Sequence, residues 1–166
     1  MGFFPRQGFF VILNTRALTK HMGLDLKLRN SLTEVVKLRA SLEALTRGFG
    51  IDPKTAFQID LSLEEVFSNI VRHAFPDHKP HEILVQAEVA EGWMTIRVED
   101  DGKEFNPLLF PAPDLNSPLE KRLPGRLGIH LVRSLMDRVI YERAQGKNIL
   151  LLRKKIVGEN KRHGDC

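Results

Sequence analysis

The sequence predicts an α+β protein, a two-layer sandwich of a sheet with its helices on one face. Three observations predict it. Segments that alternate apolar and polar residues come in consecutive pairs, as hairpins do. Two long stretches with apolar residues at helical spacing separate the first strand from the first pair, and a third stands before the last pair. Runs of strands and helices that do not alternate singly favour layered α+β over a doubly wound sheet. The 166 residues suit one domain.

The elements follow in order. Leu24, Leu26 and Leu28 alternate with Asp25, Lys27 and Arg29, the pattern of a half-buried strand. Asn30-Ser31 offers an N-cap, with Glu34 placed as in a capping box, and a helix should run from Leu32 to about Arg47 before Gly48 and Gly50 end it. Asp52-Pro53 opens a second helix, which Pro76 stops after Phe75. Its apolar face is Leu63, Val66, Phe67, Ile70, Val71 and Ala74. Glu82–Ala90 and Trp93–Asp100 read as a hairpin turning at Glu91-Gly92. From Lys103 to Pro124 regularity stops, and five of the nine prolines lie there. An irregular segment of ~20 residues inside a compact domain is expected to be a lid or binding loop. Gly125 to Asp137 reads as a third helix, and Val139–Arg143 with Asn148–Lys155 as a closing hairpin around Gln145-Gly146.

Composition narrows the function classes. Hydrophobic residues at 42% and charged ones at 28% are ordinary for a globular protein. The net charge is +4, from 25 basic and 21 acidic residues, with Arg153, Lys154, Lys155, Lys161 and Arg162 near the end. No aromatic interleaving or zinc spacing supports nucleic-acid binding, so residues 157–166 read as a basic tail. No run nears the ~18 apolar residues that cross a bilayer. The single cysteine, Cys166, excludes an intramolecular disulfide, and a cytoplasmic protein without a membrane or nucleic-acid partner is expected. Phe9 to Leu13 is too short for a signal peptide, and Arg6 occupies the place where myristoylation wants Ser or Thr. Residues 1–22 are expected to lie outside the fold, with Met22 as an alternative start; the domain then spans 23–156, with its lid at about 103–125.

Three features carry chemistry. Glu65, Asn69 and His73 recur every fourth residue on the second helix, a stripe about 80° wide at the rim of the apolar face. Such a stripe reads either as a solvated face or as a general base, a hard oxygen ligand for Mg²⁺ and a phosphate donor in line. Asp100 shares a strand face with Met94, Ile96 and Val98, so it points inward at the strand's end. It reads either as a turn-capping Asp or as an acceptor for a ligand amino group, with Gly102 letting the backbone approach. Gly125 and Gly128 flank Arg126 where the irregular segment enters a helix. That is a plain junction or a phosphate site, to which Lys121 and Arg122 add positive charge.

Together these segments resemble the GHKL (histidine-kinase-like) ATPase superfamily and, within it, the anti-sigma-factor serine-protein kinases. Glu65-Val66-Phe67-Ser68-Asn69-Ile70-Val71-Arg72-His73-Ala74 is similar to the N-box of that family. Val98 to Pro107 resembles its first glycine box and Pro124 to Arg133 its second. The likeness covers about residues 24–155. It implies a Bergerat-type fold, a mixed sheet under helices with nucleotide held beneath a mobile lid. It implies ATP and Mg²⁺ as cofactors, with Glu65 as catalytic base, Asn69 as metal ligand and Asp100 as adenine reader. His73, Gly102, Gly125, Arg126, Gly128 and Asn148 would complete the nucleotide site. It implies transfer of the γ-phosphoryl group to a serine of an anti-anti-sigma (STAS-domain) partner, sequestration of a sigma factor, and a homodimer. Glu104 and Arg126 replace glycines of the two boxes, which limits backbone freedom at the lid. The alternative is a non-catalytic, nucleotide-gated interaction module. The ATP-binding part of a histidine kinase acting in trans fits less well, since no phosphoacceptor helix pair is present.

Overall fold

A computed structural model describes residues 10–13, 20–109 and 126–156. Its strands are β1 (Phe10–Leu13), β2 (Lys20–Arg29), β3 (Glu82–Ala90), β4 (Trp93–Asp100), β5 (Arg138–Ala144) and β6 (Lys147–Lys155). Its helices are α1 (Val35–Gly48), α2 (Pro53–His73) and α3 (Arg126–Leu135). The six strands lie in the order β1-β2-β3-β4-β6-β5.

Every neighbouring pair is antiparallel. This corrects the expected mixed sheet, and the reason is topological. The chain leaves β4, crosses through α3 and returns as β5 in the same direction as β4. The hairpin then folds β6 back into the gap, so the two parallel strands never touch. On the other side α1 and α2 run out and back, which returns the chain to the end of the sheet it left and makes β3 antiparallel to β2.

Residues 1–22 were expected outside the fold, yet the sheet takes up part of them. Phe10–Leu13 pairs with Lys20–Gly23 as an outer strand, with Phe10 opposite Gly23 and Leu13 opposite Lys20. The expected lid and the residues 157–166 lie largely or wholly outside the described residues.

Local chemistry explains the elements. Leu24, Leu26 and Leu28 are buried while Asp25, Lys27 and Arg29 face water. Ser31 caps a single 3-10 turn (Leu32–Glu34) by accepting from the Thr33 N–H, and α1 proper starts only at Val35. The Asp52 carboxylate caps α2, accepting from the Thr55 N–H at 2.9 Å, and the bonds from Thr55 hold its pKa below the usual value. Both hairpin turns use two residues with positive φ, Glu91-Gly92 and Gln145-Gly146. That backbone matches the twist of the flanking strands, which is why glycine stands second in each. Leu38, Leu42 and Leu45 of α1 and Ile59, Leu63, Val66 and Phe67 of α2 bury one helical layer against Ile83, Val85, Met94, Ile96, Val98 and Leu152 of the sheet.

Candidate functional site

The C-terminal half of α2 is where the predicted residues converge. Glu65 and Asn69 are half-buried and His73 is exposed. Opposite them lies the first turn of α3. A Cβ built on Gly128 would stand 2.2 Å from Glu65 Oε2 and 3.6 Å from Asn69 Nδ2. Only a residue without a side chain lets α3 approach the carboxylate this closely. Glu65, Asn69 and Gly128 therefore form one cluster across two helices.

Asn69 Nδ2 is buried and has no hydrogen-bond partner among the described residues. An orphaned polar atom of this kind costs about 1–3 kcal/mol unless something answers it. The amide oxygen and nitrogen exchange places by a half-turn of the side chain, so the same position can offer a carbonyl oxygen. A hard divalent cation takes such an oxygen readily, with waters and phosphates as its other ligands. The side chains present fit Mg²⁺ on Asn69 beside the Glu65 carboxylate.

Asp100 ends β4 with 5% of its surface exposed. Its Oδ1 accepts from the Gly102 N–H at 2.8 Å and from Asn148 Nδ2 at 2.9 Å. Burial pushes its pKa up, against those two bonds and the nearby Arg143 charge, which pull it down. The Gly102 position is closed on three sides: a Cβ there would lie 2.6 Å from Ala74 Cβ, 2.8 Å from Ala74 O and 2.8 Å from Asp100 Oδ1. The next N–H, of Lys103, donates to Ala74 O at 2.9 Å. The turn after β4 is thus seated on the end of α2, immediately after His73.

Asn148 lies opposite Asp100 in the β4–β6 register and is buried. Its Nδ2 also donates to Lys103 O at 3.0 Å. Its Oδ1 accepts from Tyr141 Oη and from Arg143 Nη1, each at 2.8 Å, and from the Phe105 N–H at 3.4 Å. Arg143 also donates to Gly102 O at 3.0 Å. Sequence reasoning placed Asn148 near a ligand base, but here all of its polar capacity is spent inside the protein. It holds Asp100 and the Gly102 segment in place. Tyr141 and Arg143 went unassigned in that reading. The signal that could have found Arg143 is the hairpin register, which sets it opposite Asn148.

A second group was also missed. His81 stacks on Phe75, with ring centroids 4.2 Å apart and planes 15° from parallel. Its ring nitrogens meet Asp101 and Asp77 at 3.0–3.1 Å. Phe75 and Asp101 are the immediate neighbours of Ala74 and of Asp100 and Gly102, so this group braces the same junction. Of the second glycine box, Gly125 lies outside the described residues, and Arg126 is placed only as the first residue of α3.

Residues 28–154 match the profile of the histidine kinase-like ATPase domain. The chain is 30% identical over 96 residues to the serine/threonine-protein kinase BtrW of Bordetella bronchiseptica, covering 58% of this chain and 68% of that one. It is 26% identical over 149 residues to the serine-protein kinase RsbW of Listeria monocytogenes, covering 86% of this chain and 95% of that one. In a crystal structure of the RsbU and RsbW domains of a Mycobacterium tuberculosis protein, the matching part has a TM-score of 0.60 at 18% identity. It takes in 81% of this chain and 32% of that longer chain. Among the described residues no helix is long and apolar enough to cross a membrane.

Proposed function

The chain belongs to the histidine kinase-like ATPase family, and from that premise we propose that it is a serine-protein kinase of the anti-sigma type. It transfers the γ-phosphoryl group of Mg-ATP to a serine of a STAS-domain anti-anti-sigma protein and, as a cytoplasmic homodimer, sequesters a sigma factor. One observation carries the reading. Glu65 and Asn69 on α2, Gly128 on α3 and the Asp100–Gly102 turn, predicted from distant parts of the sequence, lie around the last turns of one helix.

Each residue has a role its surroundings suit. The Glu65 carboxylate accepts the proton of the attacking serine hydroxyl. Asn69 holds Mg²⁺ through its amide oxygen, and the ion, when bound, neutralises charge on the phosphates. Asp100, fixed through Oδ1, accepts from the exocyclic amine of adenine. The N–H groups at the start of α3 receive phosphate oxygens, as helix N-termini do, and His73 donates a hydrogen bond to the phosphates. Such transfer needs little covalent help from the protein; positioning and electrostatics do the work.

The test is phosphoryl transfer from labelled ATP to a STAS-domain protein by wild type and Glu65→Gln. The expected result is transfer by the wild type, and nucleotide binding without transfer by the variant. Undiminished transfer by Glu65→Gln rejects Glu65 as the base. Nucleotide binding with no transfer by wild type favours the nucleotide-gated interaction module instead.

A further inference from the structure

We propose that His81 is a positioning residue: its doubly bonded imidazolium fastens Asp101, and with it the Asp100–Gly102 turn, to the end of α2, and the fastening loosens when the ring loses its proton.

The geometry carries the argument. A neutral imidazole has one N–H donor and one acceptor nitrogen. Here Nδ1 lies 3.1 Å from Asp101 Oδ1, and Nε2 lies 3.0 Å and 3.1 Å from the two oxygens of Asp77. Ionised carboxylates only accept, so two of them facing both nitrogens are satisfied only by the doubly protonated ring. The Asp77 hydrogen bond, then that of Asp101, raises the His81 pKa above its ordinary 6.5, against partial burial, which lowers it. Asp77 and Asp101 are the charged groups that face the ring, and Lys79 in turn faces Asp77. The trio is not arranged as a metal centre.

The ring is held from its other sides as well. It stacks on Phe75, and its side chain is only 21% exposed. Its backbone is tied to the end of β2: the His81 N–H donates to Asn30 Oδ1 at 2.9 Å, and the Asn30 N–H donates to His81 O at 3.1 Å. His81 is therefore a fixed post, and Asp101 is what it holds. Loss of the proton leaves one nitrogen lone pair facing a carboxylate, which repels it. Because the folded-state pKa is raised, the fastening is complete below the ordinary value of 6.5 and is lost as pH rises through the folded value.

The functional readout rests on the nucleotide reading above; the fastening does not. The experiment follows amide hydrogen exchange at Gly102 and Lys103, corrected for intrinsic rates, and affinity for ADP, from about pH 5.5 to about pH 8.5. It compares wild type, His81→Phe, which keeps the ring stack, and His81→Gln. In the wild type, protection at both amides and ADP affinity, the latter taken relative to His81→Gln at the same pH so that the ionisation of ADP cancels, should fall together by about two- to fivefold. The transition should coincide with titration of the His81 ring read by NMR. Both variants should show pH-independent protection at these two amides and sit at the weaker level. A His81 ring that titrates at or below 6.5 overturns the proposal from wild-type protein alone. So do equal pH profiles of protection in wild type and variants. If protection tracks the ring but ADP does not bind, the fastening stands and the nucleotide reading falls. If ADP binds while protection ignores the ring, the reverse holds.

Discussion

Replacing Gly128 by alanine should remove most phosphoryl transfer while leaving the fold intact. The added Cβ would lie 2.2 Å from Glu65 Oε2, where ordinary contact begins at 3.4 Å, so the oxygen must retreat by at least the difference of 1.2 Å. The obstructing atom is the tip of a flexible side chain, and rotation of Glu65 relieves the overlap without moving either helix. Gly128 is also the third residue of α3, where alanine suits the helix better than glycine. The interior value of that preference is ~0.5–1 kcal/mol, and a first-turn position keeps only part of it. Stability should therefore be unchanged or raised by up to ~0.5 kcal/mol. A base displaced by an ångström can cost on the order of a hundredfold in rate. The main-chain N–H at 128 is retained, so nucleotide affinity should stay within about threefold, under 1 kcal/mol. Initial rates with labelled ATP, an ADP titration and urea midpoints measure the three quantities. Adding Gly128→Ala to Glu65→Gln should produce no further loss of transfer, because both act on one group. Transfer by Gly128→Ala at the wild-type rate would refute the reasoning, and so would a loss of stability beyond ~2 kcal/mol.

The other predictions concern the Asp100 turn and the sheet beneath it. Asp100→Asn keeps an oxygen for the Gly102 and Asn148 bonds and loses a charge whose pKa burial has raised. That raised pKa contributes stability only below the ordinary 3.8 and costs it at neutral pH. Neutral-pH stability should hold or rise in calorimetry, while ADP affinity falls about tenfold or more. Asn148→Ala leaves Asp100, Tyr141 and Arg143 short of partners and should lower the unfolding free energy by about 1–3 kcal/mol in urea titration. Gly102→Ala drives a methyl into Ala74 Cβ and main-chain O, and about 1–3 kcal/mol of lost stability is expected from the same measurement. Lys147, chiefly, and Arg97 hold the Glu99 carboxyl below its ordinary 4.5, a contribution present above that value and lost as pH falls. Lys147→Met should move the acid-unfolding midpoint to higher pH, followed by circular dichroism.

Much of the fold is legible because it rests on local patterns. The alternation in β2 and β4 fixes which side chains face inward, and by that parity alone Asp100 is set on the core face. The turn residues Glu91-Gly92 and Gln145-Gly146 mark both hairpins. What escapes the sequence is whatever depends on partners far along the chain. That β6 lies beside β4, setting Asn148 against Asp100, has no local signature. Neither does the seat of Gly102 on Ala74, nor the approach of α3 to Glu65. The mixed sheet is what the family resemblance implies; the patterns themselves do not order the strands, and β6 keeps the parallel β4 and β5 apart. Phe10–Leu13 escaped because an outer strand held by main-chain bonds needs little side-chain alternation. His81 was passed over because its two carboxylates come from separate segments, and only the fold brings them to opposite sides of one ring.

The bonds at Asn148 also govern how the molecule breathes. One amide is shared by the end of β4, by Lys103 and Phe105 at the entrance to the irregular segment, and by Tyr141 and Arg143 on the outermost strand. Peeling β5 from the sheet releases the Tyr141 and Arg143 bonds and, through Arg143, the hold on Gly102. The outer strand and the mouth of the site are therefore coupled in local unfolding, and opening at β5 loosens the turn beyond Asp100. A chain that pairs with β5 would suppress that opening, so a contact made at the rim of the sheet is felt at the turn beyond Asp100 as slower exchange.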